Sequence, residues 1–252
     1  MLDAIFWGLI QGLTEFLPIS SSGHLVLIPA MLDREGPDLA TTAMLHLGTL
    51  AAVIVYYRSD IAEMARFDRP ARRLLTLIAI GTLPAVVLGL VFKDKIEELV
   101  ADPSTVAIML IVTGVILLAT GLLRVGDMRV RDIGPLDSLF VGFSQALALI
   151  PGISRSGMTM STGLARGMGK VEAARFAFLL SIPVIAGAGL LEIVDFAGSG
   201  ESIDNAVWVG VVAAGVSGYF AISILIRLLA RIGLAPFGVY CIAAGTLATF
   251  LV

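Results

Sequence analysis

The chain contains the run Gln11-Gly-Leu-Thr-Glu15-Phe-Leu-Pro18-Ile-Ser20-Ser21-Ser22-Gly23-His24 and later the run Pro151-Gly-Ile-Ser154-Arg155-Ser156-Gly157. Each run interrupts a long apolar region, the first at residues 2–32 and the second at 136–168. A helix needs about 20 apolar residues to cross a hydrocarbon core, and neither half of either region has that length. We therefore predict two re-entrant helical hairpins, whose irregular tips must line a cavity within the protein.

The composition of the whole chain indicates a membrane protein. Of its 252 residues, 58% are hydrophobic and only 15% are charged, and the mean hydropathy is +0.97. So few charges cannot coat a soluble domain, which is typically about a quarter charged. A net charge of -3 and a single cysteine exclude a nucleic-acid module and an internal disulfide, respectively. We expect no signal peptide, because the first residues lack a basic segment and a cleavage site.

The other apolar segments predict six full transmembrane helices. These segments are residues 40–57, 72–92, 104–123, 172–194, 205–229 and 234–251. Thirteen of the 17 basic residues cluster in four loops, which are cytoplasmic by the positive-inside rule. This assignment alternates without conflict along the six spans. It makes the first hairpin enter the membrane from outside and the second from inside.

The opposite entry of the two hairpins predicts an internal repeat with inverted topology. With an offset of 134 residues, Gln11 aligns with Gln145, Ser20 with Ser154, and Gly23 with Gly157. We predict one all-α, polytopic transmembrane domain over residues 1–252, with repeats at about 1–125 and 134–252. Many transporters share this architecture and bind substrate where broken helices meet near the midplane.

The first run carries ionisable groups that are costly at membrane depth. Gln11 and Glu15 are four residues apart, so they share one face of a helix. An ionisable side chain there costs a few kcal/mol, which favours a functional role for Glu15 and for His24. Glu15 is alternatively a structural partner of nearby hydroxyls. His24, directly after three serines, is a candidate base or nucleophile or, alternatively, a packing residue.

The serines of both runs predict an anion site. Ser20, Ser21 and Ser22, and likewise Ser154 and Ser156, can cap helices whose free N–H groups attract a phosphate. Arg155 is the one basic residue that we place inside the membrane, and its guanidinium suits phosphate oxygens. An ion pair between Arg155 and Glu15 is the structural alternative. We expect His46, in an apolar span, to be a packing residue, and Gly8-x-x-x-Gly12 to allow close helix approach.

Together these two runs resemble the motifs of the undecaprenyl-pyrophosphate phosphatase family, also called the bacitracin-resistance proteins, and the resemblance extends over essentially the whole chain. The family removes one phosphate from undecaprenyl pyrophosphate at the outer side of the cytoplasmic (inner) membrane, recycling the lipid carrier of peptidoglycan synthesis. The resemblance implies that Glu15, His24, Ser21 and Arg155 are catalytic. It also implies a divalent metal, Mg²⁺ or Ca²⁺, near Glu15 and Gln11. Many members carry Glu where this chain has Gln11.

Two questions stay open at the level of sequence. The attacking group is His24, Ser21 or water. The alternative function is a lipid-phosphate transporter or flippase that uses the same anion site, with Glu15 and His24 as proton-coupling groups. Faces of small residues also suggest a homodimer.

Overall fold

The computed structural model describes residues 1–100, 102–199 and 205–252 of the chain. In these ranges the regular structure is helical, with no strand and one isolated bridge between Met128 and Met168. The helices are α1 (Leu2–Phe16), α2 (Ser21–Met31), α3 (Leu39–Tyr56), α4 (Arg58–Met64), α5 (Arg69–Val91), α6 (Lys93–Val100), α7 (Pro103–Gly121), α8 (Pro135–Leu147), α9 (Arg155–Ala165), α10 (Lys170–Ser199), α11 (Asn205–Ile232) and α12 (Ala235–Thr249). The prediction of an all-α fold is confirmed.

In the part of the chain that the structure describes, four helices are long and apolar enough to cross a membrane: α5, α7, α10 and α11. Helix α3 bends by 75° into α4, and this pair makes a fifth candidate span. Helix α12 has 15 residues and is apolar, but it is shorter than a full span. The chain is therefore a multi-pass membrane protein, whereas the count of six spans stays a prediction.

The outer surface of the bundle is apolar, as a lipid-facing surface requires. Along α5 the large side chains of Leu83, Val87 and Leu90 are exposed, and along α11 so are Val212 and Phe220. In a soluble protein such a continuous apolar surface would cause aggregation. In a membrane this apolar surface contacts lipid, so its exposure is not unfavourable.

Sequence signals set several helix ends. Asp38 accepts a hydrogen bond from Thr41 N at 2.6 Å and so caps α3, and Asp68 does the same for α5 through Ala71 N at 2.9 Å. Helix α5 also has a proline in its first turn, where a missing N–H costs nothing. These caps satisfy backbone donors that would otherwise be unpaired at the helix starts.

Each broken region folds as two short helices joined by a tip. The first hairpin is α1 with α2, and the second is α8 with α9. With 15, 11, 13 and 11 residues, these helices are about 16 to 22 Å long, less than a hydrocarbon core of about 30 Å. The helix breaks lie where the sequence predicts them. The inverted repeat stays a prediction.

Close packing of α1 on α11 places the first hairpin. A Cβ at Gly8 would overlap the carbonyl oxygen of Gly210, and one at Gly12 would overlap that of Ala214. The prediction that these glycines allow close helix approach is confirmed. Since this small-residue face packs inside the protomer, it is not the face that would support the predicted homodimer.

Beneath the first tip lies the apolar core. The ring of Phe16, at the end of α1, meets that of Phe178 of α10 edge to face, with 5.4 Å between their centroids. Both side chains are fully buried. This packing fixes the last turn of α1, from which the acidic side chain of the candidate site projects.

Candidate active site

The carboxylate of Glu15 is the centre of the site. It is buried and accepts hydrogen bonds from Gln11 Nε2 at 3.1 Å, Ser21 Oγ at 2.5 Å and Arg155 Nη2 at 2.6 Å. Gln11 and Glu15 therefore do share one helix face. Gln11 and Ser21 of the first hairpin and Arg155 of the second, all predicted site residues, thus surround Glu15.

The two tips begin their second helices with the same capping device. Ser20 Oγ accepts from Gly23 N at 3.2 Å, and Ser154 Oγ accepts from Gly157 N at 3.1 Å. In each tip the capping hydroxyl also lies near the hydroxyl two residues later, at 3.3 Å for Ser22 and 3.2 Å for Ser156. The predicted capping roles of Ser20 and Ser154 are confirmed.

The first turns of α2 and α9 keep backbone N–H groups available. Those of Ser21, Ser22, Arg155 and Ser156 have no acceptor within the described ranges. Free N–H groups at a helix start, together with the helix dipole, favour an anion. The geometry therefore supports the predicted anion site at the meeting point of the tips.

Direct contacts join the second tip to its surroundings. Ser156 Oγ donates to the carbonyl of Leu17 in the first tip at 3.0 Å. Thr113 of α7 donates to Gly152 O at 3.0 Å and accepts from Ser154 N at 3.1 Å. Gly152 has φ of +90°, and a Cβ there would overlap the carbonyl oxygen of Val106. Only glycine fits this position.

A cavity of about 170 Å³ lies where the tips meet. Its polar wall comes from the two tips and from α3, and its apolar wall comes mainly from α10. The lining residues are Glu15, Ser20, Ser21, Ser22, His46, Ala148, Ile153, Ser154, Arg155, Val184, Ile185 and Ala188. Of the predicted site residues, Gln11, His24 and Ser156 do not line it.

His24 points away from this cavity. Its Nδ1 lies 2.8 Å from the carbonyl oxygen of Ser20, and its Nε2 lies 2.7 Å from the hydroxyl of Tyr240 in α12. The two rings are nearly parallel, with 5.8 Å between their centroids. Both ring nitrogens are thus engaged. The predicted role of His24 as base or nucleophile stays a prediction, and the arrangement gives it no direct support.

His46 occupies a place that sequence reasoning missed. Its Nε2 lies 3.7 Å from Glu15 Oε2, and the side chain is 30% exposed in the cavity wall. The expectation that it is a packing residue is wrong, because the packing of α3 beside α1 brings its ring to the first tip and into the cavity wall. The available signal was the cost of an ionisable group in a span, the criterion applied to Glu15.

Glu15 and Gln11 do not by themselves form a complete metal site. Both carboxylate oxygens of Glu15 accept from Arg155, Ser21 and Gln11, and Oε1 of Gln11 is buried with no hydrogen-bond partner among the described residues. Within the described ranges no group of three His, Cys, Asp or Glu residues could hold an ion. Ca²⁺ takes six to eight oxygen ligands, whereas Mg²⁺ commonly binds through one or two carboxylates together with waters and substrate phosphates. Dependence on a divalent metal stays a prediction from the family resemblance.

The family model described as "Bacitracin resistance protein BacA" matches residues 4–247. The chain belongs to this family. The BacA match extends from the first hairpin into α12, so it includes both tips and the cavity between them. The family resemblance that the two sequence runs indicated is therefore confirmed.

Curated relatives agree with the BacA match over nearly full length. An undecaprenyl-diphosphatase of Halothermothrix orenii is 39% identical over 255 aligned residues, which cover 100% of this chain and 98% of the relative. One of Alcanivorax borkumensis is 42% identical over 258 residues, covering 98% of this chain and 97% of the relative. An "Undecaprenyl-diphosphatase 2" of Stutzerimonas stutzeri is 40% identical over 258 residues, with 97% and 96% coverage.

Proposed function

We propose that this chain is an undecaprenyl-pyrophosphate phosphatase. It hydrolyses the lipid diphosphate to undecaprenyl phosphate and inorganic phosphate, recycling the carrier for peptidoglycan synthesis and conferring bacitracin resistance. The names of its relatives and the BacA family support the substrate and the reaction. We place the reaction at the outer side of the cytoplasmic membrane, from which the first hairpin enters.

The observation that carries this proposal is the buried Glu15 carboxylate between a hydroxyl and a guanidinium. Ser21 donates to one of its oxygens at 2.5 Å, and Arg155 donates to the other at 2.6 Å. A carboxylate that accepts a hydrogen bond from a serine hydroxyl is placed as a general base beside a nucleophile. An arginine on the opposite side supplies charge where a phosphoryl group would gain it.

The substrate head enters the cavity as an anion. Arg155 and the free N–H groups of the two helix starts bind the diphosphate, and Arg155 exchanges part of its contact with Glu15 for phosphate oxygens. The apolar wall of Val184, Ile185 and Ala188 suits the first part of a prenyl chain beside the head. The remaining chain needs no aqueous pocket, because it lies among the spans in lipid.

Ser21 then attacks the terminal phosphorus. The bond from Ser21 Oγ to phosphorus forms, the bond from phosphorus to the bridging oxygen breaks, and undecaprenyl phosphate leaves with the electron pair. Glu15 accepts the proton of Ser21. Water hydrolyses the phosphoserine in a second step, and the proton held by Glu15 returns to Ser21 Oγ.

Release of inorganic phosphate in detergent tests the function. Purified wild-type protein is incubated with undecaprenyl pyrophosphate with and without Mg²⁺ or Ca²⁺, and with Glu15→Gln as the control variant. We expect release by the wild type and none above background by the variant. Without two compartments, a lipid-phosphate transporter releases nothing, so a monodisperse but silent wild type would favour that alternative.

Rapid-quench labelling tests the covalent step. With substrate labelled in its terminal phosphate, a single turnover should leave acid-stable label on the protein, at Ser21 by peptide mapping. The Ser21→Ala variant should carry none. Inorganic phosphate formed at full rate with no labelled protein would instead assign the attack to water.

Site-directed cysteine labelling tests the orientation. Cys241, the single native cysteine, is buried, so it leaves the background low. We expect an impermeant reagent added to intact cells to label Glu98→Cys but not Arg66→Cys, two positions that are exposed on the protein surface. Labelling of both from the same side would contradict the proposed topology.

A further inference from the structure

The two histidines of the chain have opposite environments. Both ring nitrogens of His24 are engaged by other protein groups, and its ring stacks on Tyr240 outside the cavity. His46 has one nitrogen engaged, and its other nitrogen faces Glu15 in the cavity wall. The imidazole that a bound substrate would meet is therefore that of His46.

The hydrogen bond of Nδ1 determines what His46 presents to the cavity. Nδ1 lies 2.8 Å from the carbonyl oxygen of Thr42, one turn earlier in α3. A carbonyl oxygen can only accept, so Nδ1 carries the hydrogen. In the neutral ring Nε2 is then a lone-pair acceptor, as expected where the partner of one ring nitrogen sets the tautomer.

The position of His46 is fixed by the packing of α3. A Cβ at Gly48 would overlap the carbonyl oxygen of Val211, so this glycine lets α3 lie directly against α11. Thr49 Oγ1 donates to the carbonyl of His46 at 2.8 Å. The bond from Nδ1 to Thr42 then orients the ring so that Nε2 lies 3.7 Å from Glu15 Oε2.

We propose that His46 is a catalytic residue that accepts a proton from the hydrolytic water. This rests on the proposed phosphatase function. As water attacks the phosphorus of phosphoserine 21, the new oxygen–phosphorus bond forms, the bond to Ser21 Oγ breaks, and one proton of the water passes to Nε2 of His46. Glu15 returns its proton to Ser21, and His46 later releases its proton to solvent. If water attacks the diphosphate directly, the same nitrogen accepts the same proton.

The contacts of Glu15 and His46 indicate which proton each of them accepts. Glu15 Oε2 is the shared neighbour of Ser21 Oγ and His46 Nε2, so the serine and the imidazole lie on two sides of one carboxylate oxygen. Glu15 accepts a direct hydrogen bond from the serine hydroxyl, whereas His46 lies 3.7 Å from the same carboxylate and lines the cavity. In this proposal, a water in the cavity that donates a hydrogen bond to Nε2 of His46 is activated as it attacks the phosphorus on Ser21.

Replacement of His46 with rescue by free imidazole tests the proposal. His46→Ala removes the ring from a cavity wall, and His46→Gln keeps a polar side chain of similar length without a basic nitrogen. We expect each variant to lower kcat by about 10²- to 10⁴-fold with KM within about threefold of the wild type. Imidazole should restore part of the kcat of His46→Ala. It should not restore activity to Glu15→Gln, which retains the native His46.

The outcomes separate this proposal from the proposed function. A wild-type kcat in a folded His46→Gln variant, beside an active wild type, would overturn the role of His46 and leave the phosphatase function intact. Loss of activity in His46→Ala that imidazole does not relieve, at an unchanged melting temperature, would make His46 a structural partner of Glu15 and also overturn the proposal. A silent wild type would overturn both proposals together.

Discussion

The first and second hairpin tips share a backbone device but carry different chemistry. Both use a serine that caps the following helix and a glycine three residues later. With the offset of 134 residues, however, Glu15 corresponds to Leu149, Ser21 to Arg155, and His24 to Met158. The first tip supplies the acid and the hydroxyl, and the second supplies the cation. Two tips with the same capping device thus form one chemically asymmetric site where they meet.

The backbones of the tips also differ. In the first tip Ser20 has φ of 67°, a region that residues with a Cβ rarely occupy, whereas Ser154 has an ordinary φ of −74°. In the second tip the unusual conformation falls on Gly152 instead, with φ of +90°. Each tip therefore contains one positive φ, but only the second places it on glycine. The strain in the first tip lies on the residue that precedes Ser21.

We expect the largest effect on kcat from substitution of Glu15 in the first tip, in contrast to Leu149, which occupies the matching position of the second tip. Glu15→Gln should lower kcat by about 10³-fold or more, because an amide cannot accept the proton of Ser21. Leu149→Ala, at the matching position of the second tip, should stay within about tenfold of the wild type, since Leu149 does not line the cavity. Phosphate-release kinetics on both purified variants measure the difference. Equal losses would show that the tips are not chemically distinct.

Removal of the cation of the second tip should have the next largest effect. Arg155→Ala should lower kcat/KM by about 10²-fold, equivalent to roughly 3 kcal/mol, because it removes one partner of a buried charge pair and a phosphate ligand. Arg155→Lys keeps the charge but loses the planar fork, so it should recover only part of this loss. Kinetic constants of both variants at several substrate concentrations provide the measurement. Wild-type constants for Arg155→Ala would remove this residue from the site.

Alanine substitution of one glycine near each tip should change the stability of the protein by different amounts. Gly152→Ala places a Cβ on the carbonyl of Val106 at positive φ, so we expect a loss of about 3 kcal/mol or failure to fold. Gly23→Ala brings a Cβ to 3.2 Å from Ser20 Oγ within a helix, where alanine is otherwise favoured, so its effect should be within about 1 kcal/mol. Melting temperatures in detergent report both. Similar values would contradict the difference in backbone constraint.

The smallest expected effect concerns the two capping serines. Ser20→Gly loses a cap hydroxyl but relieves the positive φ, so stability should be unchanged or slightly higher. Ser154→Gly loses the cap with no strain to relieve and should be destabilised by about 1 kcal/mol. Melting temperatures in detergent compare the stability of the two variants. A larger loss for Ser20→Gly than for Ser154→Gly would mean that Ser20 is not strained.

Much of the site could be predicted because its parts are local in sequence. The four-residue spacing of Gln11 and Glu15 and the serine caps depend on helix geometry within one turn, which a sequence pattern specifies. The alternative ion pair between Arg155 and Glu15 was also expected, and the structure contains it at 2.6 Å. The cost of two buried charges left few other partners for either group.

The positions of the two histidines in the structure have a physical reason as well. His24 is next to the serines in sequence, but at the start of α2 its ring turns toward Tyr240, more than 200 residues later. His46 is distant in sequence from both tips, and only the packing of α3 beside α1 brings it to Glu15. Adjacency along the chain does not determine the direction of a side chain within a bundle.

The sequence by itself determined the membrane class, the two broken regions, the capped tips and the residues that carry charge at depth, because hydropathy, helix period and capping act over a few residues. Only the tertiary structure decided which imidazole reaches the acid and which oxygen of Glu15 each donor takes. These outcomes depend on how helices far apart in the chain approach one another, and that approach is set by glycine contacts and core packing summed over the whole bundle.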